Sequence, residues 1–229
     1  MPDPDITKKP EINGKDAVHA VVKAGLSAIP VVGGPASELF SLVITPSLEK
    51  RRDRWIESIG EALKALEARV EGFKIENLKD NEAFVSTLMQ ASQAAIVNHQ
   101  KEKVEALRNA VLNAALPNAP EQNLQHIFFR IVDSFTPSHL NVLKRLDKVT
   151  MVPDALAMTK GTFEEWKDQP EFCRQIAKDL HSYGLTDLVS PWEGSASRPR
   201  PPFDRVQNVT DLGKKFLAFI ASPLAAGPS

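Results

Sequence analysis

The sequence predicts a mainly α-helical protein with an N-terminal helical bundle, followed by a C-terminal domain of three helices, a short two-stranded β hairpin and a closing helix. Apolar residues recur at helical spacing along most of the chain, and few runs alternate at a period of two. The segment LPNAPEQ at 116–122 interrupts that pattern with two prolines. Pro, Ser and Arg then crowd 190–208, which is typical of a hairpin tip. The predicted boundaries are a mobile tail at 1–15, a bundle at 16–116, a C-terminal domain at 122–221 and a mobile tail at 222–229.

Composition limits the classes of partner. Lysine and arginine number 28 against 29 acidic residues, so the chain as a whole has no electrostatic attraction to nucleic acid or anionic lipid. The single cysteine, Cys173, excludes a disulfide within the chain, which fits a reducing compartment. The opening MPDPDITKKPEING has no apolar segment, so we expect no signal peptide there and a cytoplasmic protein.

The bundle is predicted to open with an apolar helical hairpin at 17–48. Pro30 ends a first helix because its ring removes an amide donor, and VVGGP, with Gly33 and Gly34, turns the chain into a second helix. That helix is expected to bend at Pro46 and to continue through SLEKRRDRWIESIGEALKALEARVEGF. Its apolar stripe comprises Trp55, Ile59, Leu63, Leu66 and Val70.

Two further runs complete the bundle. Asp80 is the start signal for a helix through NEAFVSTLMQASQAAIVNHQ, and KEKVEALRNAVLNAAL either continues that helix or forms a separate one. The inward face of the first run comprises Phe84, Leu88, Ala91, Ala95 and His99. The inward face of the second run comprises Val104, Leu107, Val111 and Ala115.

The C-terminal domain begins with clear helix signals. LQHIFFRIVDSF is amphipathic, and TPSHLNVLKRL opens with Thr136 as a cap and Pro137 in the first turn. A third helix is expected from Glu171 to Tyr183, ended by Gly184 in the left-handed conformation. The inward residues of this third helix are Phe172, Ile176 and Leu180.

The strands Leu185–Val189 and Arg205–Val209 are predicted to pair as the β hairpin. Thr210 then caps the closing helix, Asp211 meets the positive end of the helix dipole, and Gly213 permits a close backbone approach. The inward face of the closing helix comprises Leu212, Phe216, Phe219 and Ile220. Three helices, a two-stranded wing and a closing helix follow the element order of a winged helix.

Three phrases, TPSHLNVLKRL, DLHSYGLTDL and DRVQNVTDLG, together resemble the winged-helix domain of the MarR group of bacterial regulators over roughly residues 122–221. This resemblance implies a winged-helix fold and raises DNA binding as a role. Over the whole chain, the helical front half with its GGP turn, followed by such a domain, also resembles the Abi-alpha family associated with abortive phage infection. That second resemblance implies a setting in phage defence or stress response and carries no catalytic motif.

The residues that would contact DNA are few. The presumed recognition helix carries Arg174 and Lys178, but Glu171 and Asp179 offset their charge. The basic residues of the predicted wing are Arg198, Arg200 and Arg205. Because a DNA-binding face concentrates positive charge against phosphate, we rank partner contact above DNA binding as the role of this domain.

The apolar hairpin at 17–48 allows two interpretations. The basic residues that follow it are Arg51, Arg52 and Arg54. A membrane-active hairpin would enter a bilayer interface around Gly33 and Gly34, with these arginines at the headgroups, although each apolar piece is shorter than the about 20 residues that a crossing needs. A bundle hairpin would instead be buried, with the arginines on a solvated face.

Catalytic and metal-binding patterns do not emerge from the sequence. The five histidines lack metal-ligand spacing, and no nucleophile is paired with a base. His139 is expected to be a partly buried hydrogen-bonding group, and Cys173 a small buried hydrophobe. We therefore predict a non-enzymatic interaction protein without a cofactor, metal or small-molecule substrate, which acts through a protein partner or self-association. A DNA-binding regulator and a membrane-active effector are the alternatives.

Overall fold

Helices make up most of the structure, a computed structural model that describes residues 45–148, 163, 165, 168–187 and 209–225. The α-helices in these ranges are α1 (Thr45–Arg69), α2 (Glu82–Val97), α3 (Lys101–Ala115), α4 (Gln122–Ser134), α5 (Pro137–Asp147), α6 (Pro170–Ser182) and α7 (Asp211–Ile220). A 3-10 helix spans Ile75–Asp80. The prediction of a mainly α protein is confirmed. The predicted hairpin at 17–48 lies outside the described residues, except for the start of α1.

The described residues fall into two units. The first unit contains 45–99, 111–119 and 222–225. The second unit contains 100–110 and the described residues from 120 to 221. The change at residue 120 falls in the proline-containing segment 116–122, but the first part of α3 belongs with the second unit.

In the first unit, α1 and α2 pack against each other and against the 3-10 helix. The side chains of the predicted α1 stripe that are buried are Trp55, Ile59, Leu63 and Leu66. Val70, at the end of the stripe, is half-buried. The Trp55 Nε1 donates to Ser92 Oγ at 2.8 Å, and the Ser92 hydroxyl donates to the Leu88 carbonyl at 2.6 Å. These polar groups can therefore be buried, because each has a hydrogen-bond partner.

The start of α2 differs by one residue from its predicted signal. Asp80 is the last residue of the 3-10 helix, and Asn81 is the cap, whose Oδ1 accepts the Phe84 N–H at 3.0 Å. The predicted inward residues Phe84, Leu88, Ala91 and Ala95 are buried. His99 was wrongly placed on that face, because α2 ends at Val97 and His99 lies beyond it, exposed. Residues 98–100 separate the two helices, so α3 is not a continuation of α2.

In the second unit, phenylalanine rings join α4 to α7. Phe128 packs edge-on against Phe216 with ring centroids 5.5 Å apart. The Phe219 ring lies 5.5 Å from that of Phe128 and 5.6 Å from that of Phe129. These four side chains are at most 2% exposed. The predicted inward face of α7 is confirmed at its two phenylalanines and at Ile220, while Leu212 is half-buried.

The turn after α6 follows the predicted glycine-terminated pattern. Gly184 has a φ of 70°, and its amide donates to the His181 carbonyl at 2.8 Å. The Leu185 amide donates to the Leu180 carbonyl at 3.0 Å, which completes a Schellman motif. Thr186 then forms an isolated antiparallel bridge with Val209. No β strand lies in the described part of the chain, and the remainder of the predicted strands, from 188 and up to 208, lies outside it.

The start of α7 is fixed by Thr210 and Gly213, as predicted. Thr210 Oγ1 accepts the Gly213 N–H at 3.0 Å and donates to the Gly184 carbonyl at 2.6 Å. A Cβ atom on Gly213 would lie 2.3 Å from the Leu185 carbonyl oxygen and 2.6 Å from Val209 Cγ1. Gly213 is therefore required by the close approach of the chain after α6, since real Cβ contacts are longer than these.

Candidate functional site

The predicted contact residues Arg174 and Lys178 both lie on α6. Proline at its first position suits the helix start, and an apolar side buries Cys173, Ile176, Ala177 and Leu180. Cys173 rather than its neighbour Phe172 is fully inward, since Phe172 is half-buried. Burial raises the pKa of the Cys173 thiol, which fits the predicted role as a small buried hydrophobe. The opposite side of α6 is the face that carries the candidate residues.

We call Glu171, Arg174, Gln175 and Lys178 the outward face of α6. They recur at intervals of three and four, and are exposed except for Arg174, which is half-buried. The Arg174 guanidinium pairs with the Glu171 carboxylate, one turn away. The Gln175 amide donates to Asp179 Oδ1 at 2.8 Å. Arg174, Glu171 and Gln175 thus bind other side chains of the same helix, whereas Lys178 is an exposed cation.

Behind the outward face, α6 is tied to α5 by three polar residues, Thr136, His139 and Asp179, which we call the polar chain. His139 Nε2 lies 3.2 Å from Asp179 Oδ2. His139 Nδ1 accepts the Thr136 main-chain N–H at 3.2 Å and lies 2.8 Å from Thr136 Oγ1. Thr136 and His139 form a capping box at the start of α5, in which histidine occupies the usual position of Glu or Gln.

The geometry of the polar chain defines what His139 can do. Nδ1 must be the acceptor for the Thr136 N–H, so the proton of the neutral ring is on Nε2 and is donated to the Asp179 carboxylate. A hydroxyl, an imidazole and a carboxylate in series also occur in acyl-transfer enzymes. Here, however, the Nδ1 lone pair is shared with a main-chain N–H, and the side chain is only 9% exposed. The arrangement acts as a helix cap and an interhelical tie, which confirms the hydrogen-bonding role predicted for His139.

The surroundings favour the neutral form of His139. Burial lowers its pKa below the ordinary value of 6.5, and the positive charge of Lys103 lowers it further, whereas the Asp179 carboxylate raises it. The Phe135 ring stacks on the imidazole with centroids 4.7 Å apart, and the Tyr183 ring packs edge-on against Phe135 at 5.1 Å. Tyr183 is 38% exposed, so this aromatic stack reaches the surface beside the end of α6.

Lys103 on α3 is a buried titratable residue whose charge acts on the polar chain. Its ammonium donates to the Asp133 carbonyl, in the last turn of α4, at 2.7 Å. A cation at a helix C-terminus is favoured by the helix dipole. Burial lowers the pKa of Lys103, and the Asp133 carboxylate counteracts that effect. Lys103 therefore stabilises the end of α4 and at the same time discourages a second positive charge on His139.

The predicted membrane-facing arginines lie at the start of α1. The Arg51 guanidinium donates to the carbonyls of Ile96 and Val97, each at 3.3 Å, and so binds the C-terminal end of α2. Arg52 pairs with its neighbour Asp53 at 3.1 Å, and Arg54 is exposed. Among the described helices, none is long and apolar enough to cross a membrane.

The remaining predicted site residues lie outside the described part of the chain. They are Gly33, Gly34, Arg198, Arg200 and Arg205. Within the described part, no group of three His, Cys, Asp or Glu side chains could hold a metal ion.

The partnership between His139 and Asp179 was not predicted from the sequence. The two residues are 40 positions apart, and no local pattern links them. A histidine three residues after the Thr136 cap was a usable signal for the other half of the polar chain. Tyr183 was also missed as a surface residue, because it was interpreted only as the end of a helix.

Comparisons with known proteins add no further constraint on this site. No family model, curated protein or solved structure matches the chain.

Proposed function

We propose that this chain is a non-enzymatic interaction protein whose second unit presents the outward face of α6 to a protein partner. The observation that carries the proposal is the composition of that face. The face carries Arg174 and Lys178 against Glu171, whose carboxylate pairs with Arg174, and Asp179 lies behind it in the polar chain. A helix that neutralises phosphates needs an excess of cations, whereas mixed charge beside an exposed tyrosine suits a protein surface.

The winged-helix architecture is part of this proposal. Three features support it: the order of α4, α5 and α6, the bridge between Thr186 and Val209, and α7, which starts immediately after that bridge. The bridge lies where the two strands of a wing would meet at their base. The proposed biological setting, phage defence or stress response, rests on the resemblance to the Abi-alpha family alone.

The test compares charge reversals at two exposed lysines of the second unit. Lys178→Glu changes the outward face of α6, and Lys101→Glu makes the same charge change at the start of α3. Tagged full-length wild type and both variants are used to capture proteins from the native host, and retained proteins are quantified by mass spectrometry. We expect wild type and Lys101→Glu to retain the same protein, and Lys178→Glu to retain at least about tenfold less of it, which corresponds to the loss of about 1.4 kcal/mol of binding free energy.

Two other outcomes would contradict the proposal that α6 contacts a protein partner. Retention of the same proteins by both lysine variants would reject α6 as the contact face. Retardation of random duplex DNA by wild type at low salt, lost in Lys178→Glu but kept in Lys101→Glu, would assign the face to nucleic acid instead. Light scattering of the same three samples tests self-association, because a second copy on α6 would make the mass fall only in Lys178→Glu.

A further inference from the structure

The polar chain joins two segments that local sequence does not connect. Its three members bring together the start of α5 and the last turn of α6, with the His139 side chain only 9% exposed between them. Asp179 is held in place by further bonds, since its Oδ1 accepts from Gln175 and its main-chain carbonyl accepts from the Ser182 hydroxyl at 2.9 Å. The carboxylate that faces His139 is therefore held in place by a contact within α6 that does not involve the imidazole.

The hydrogen bonds of this chain require a neutral imidazole. Nδ1 is an acceptor in the structure, and a proton on that atom would turn it into a donor that faces the donor N–H of Thr136. The Thr136 hydroxyl, 2.8 Å away, could turn and accept from a protonated Nδ1, but the main-chain N–H cannot change its role. Protonation thus leaves the first amide of the capping box without an acceptor.

The charged groups around His139 have opposing effects on its protonation. From α6, Asp179 favours the imidazolium. From α3, Lys103 opposes it, and the Asp133 carboxylate near the end of α4 partly offsets the charge of Lys103. The stacked Phe135 ring supplies no hydrogen bond to a charged imidazole. The largest single influence is burial, which also opposes the charge.

We propose that Thr136 and His139 form an acid-sensitive cap at the start of α5, anchored to the last turn of α6 through Asp179, which is intact while His139 is neutral and opens when Nδ1 takes up a proton. The sign of the pH dependence of stability follows from the linkage between proton binding and folding. A histidine whose pKa is lower in the folded than in the unfolded state makes folding favourable above about pH 6.5, and this stabilisation is lost as the pH falls through that value towards the folded pKa.

The first measurement is direct. Nitrogen-15 NMR of the full-length protein reports which imidazole nitrogen carries the proton, and a titration reports the pKa of each histidine. We expect the neutral Nε2–H form of His139 at about pH 7.5 and a pKa below the ordinary histidine value of 6.5. An Nδ1–H form at that pH, or a His139 pKa above 6.5, would overturn the proposed cap.

The second measurement uses a substitution that preserves the cap. His139→Gln retains an oxygen acceptor at the capping-box position, where Gln is a common residue, but cannot be protonated near neutral pH. We expect the urea midpoint of wild type to fall between about pH 7.5 and about pH 5.5, and that of His139→Gln to change by less than half as much. His99→Gln makes the same substitution at an exposed site and should keep the full wild-type shift. A wild-type midpoint that stays constant or rises over this range would contradict the proposal, as would an equal fall in both variants.

Discussion

The two units bury different kinds of polar group. Among the described residues of the first unit, the buried polar side chains are the hydroxyls of Thr87 and Ser92, and neither titrates near neutral pH. In the second unit they include the titratable Lys103 and His139, as well as Asn109, whose amide donates to the Ile220 carbonyl 111 positions away at 3.1 Å. Polar contacts link distant segments in the described parts of both units, but in the second unit they involve a buried lysine and a buried histidine.

The cores differ as well. The α1 stripe of the first unit combines Trp55 with aliphatic side chains, which pack in many orientations. The second unit is centred on phenylalanine rings in edge-to-face geometry, where ring position is more restricted. We expect the second unit to tolerate fewer changes of side-chain shape than the first.

The largest expected effect is loss of the ring at the centre of the second unit. Phe216→Ala should reduce the free energy of unfolding by about 3–5 kcal/mol, because Phe216 is fully buried and its removal leaves a cavity between α4 and α7. Urea unfolding followed by circular dichroism measures the change. Ile127→Ala, at a 46% exposed position on α4, is the control and should cost less than about 1 kcal/mol. Equal effects of the two substitutions would show that the aromatic core does not govern the stability of this unit.

A smaller effect is expected where the backbone of Gly213 lies against the Leu185 carbonyl, a contact that we call the crossing. Gly213→Ala should cost about 1–3 kcal/mol, because the new methyl group would overlap the Leu185 carbonyl and force α7 away from it. Thermal unfolding of the two proteins at one pH measures this cost. Gly213→Ser should be at least as destabilising. A neutral result for both would mean that the crossing can relax without loss of packing.

The smallest effects are expected at turn glycines, where alanine should cost a similar free energy of unfolding in both units. Gly72 in the first unit and Gly184 in the second have φ values of 75° and 70°. Alanine at either position should cost about 1–2 kcal/mol through backbone strain alone, since a methyl group added at Gly72 would have no atom within 4 Å and one added at Gly184 would be 3.7 Å from its nearest neighbour. Asparagine, which tolerates this conformation better, should cost less than alanine at both sites. Urea midpoints of the four variants test this, and a larger loss with asparagine would contradict it.

Local signals were predicted correctly because their physics is local. The Thr210 cap and the Gly184 terminator follow from backbone geometry within a few residues. The need for glycine at position 213 comes instead from the Leu185 carbonyl, which is distant in sequence, and only the glycine itself signalled it. The α1 stripe follows from helical periodicity over a long segment. The same reasoning failed by one residue at Asp80, because a 3-10 helix already used that residue and left Asn81 as the cap.

The candidate site was predicted less completely. Arg174 and Lys178 were identified from their type and their helix, but the ion pair of Arg174 with Glu171 depends on side-chain conformation. The tie between His139 and Asp179 depends on how α5 packs against α6, which sequence spacing does not specify. Cys173 is buried as predicted, whereas Phe172, predicted to face inward, is only half-buried, which reflects the rotation of α6 about its axis.

The crossing at Gly213 also provides a way to search for relatives of this chain. Thr210 needs a hydroxyl that can donate to the Gly184 carbonyl and accept from Gly213 at the same time, so serine is the conservative substitute and valine, although similar in shape, is not. A distant homologue that keeps this crossing should therefore keep a Gly-Leu pair, a variable insertion, and then Ser or Thr followed three residues later by Gly. Such a pattern can be sought even where the rest of the sequence has diverged beyond detection.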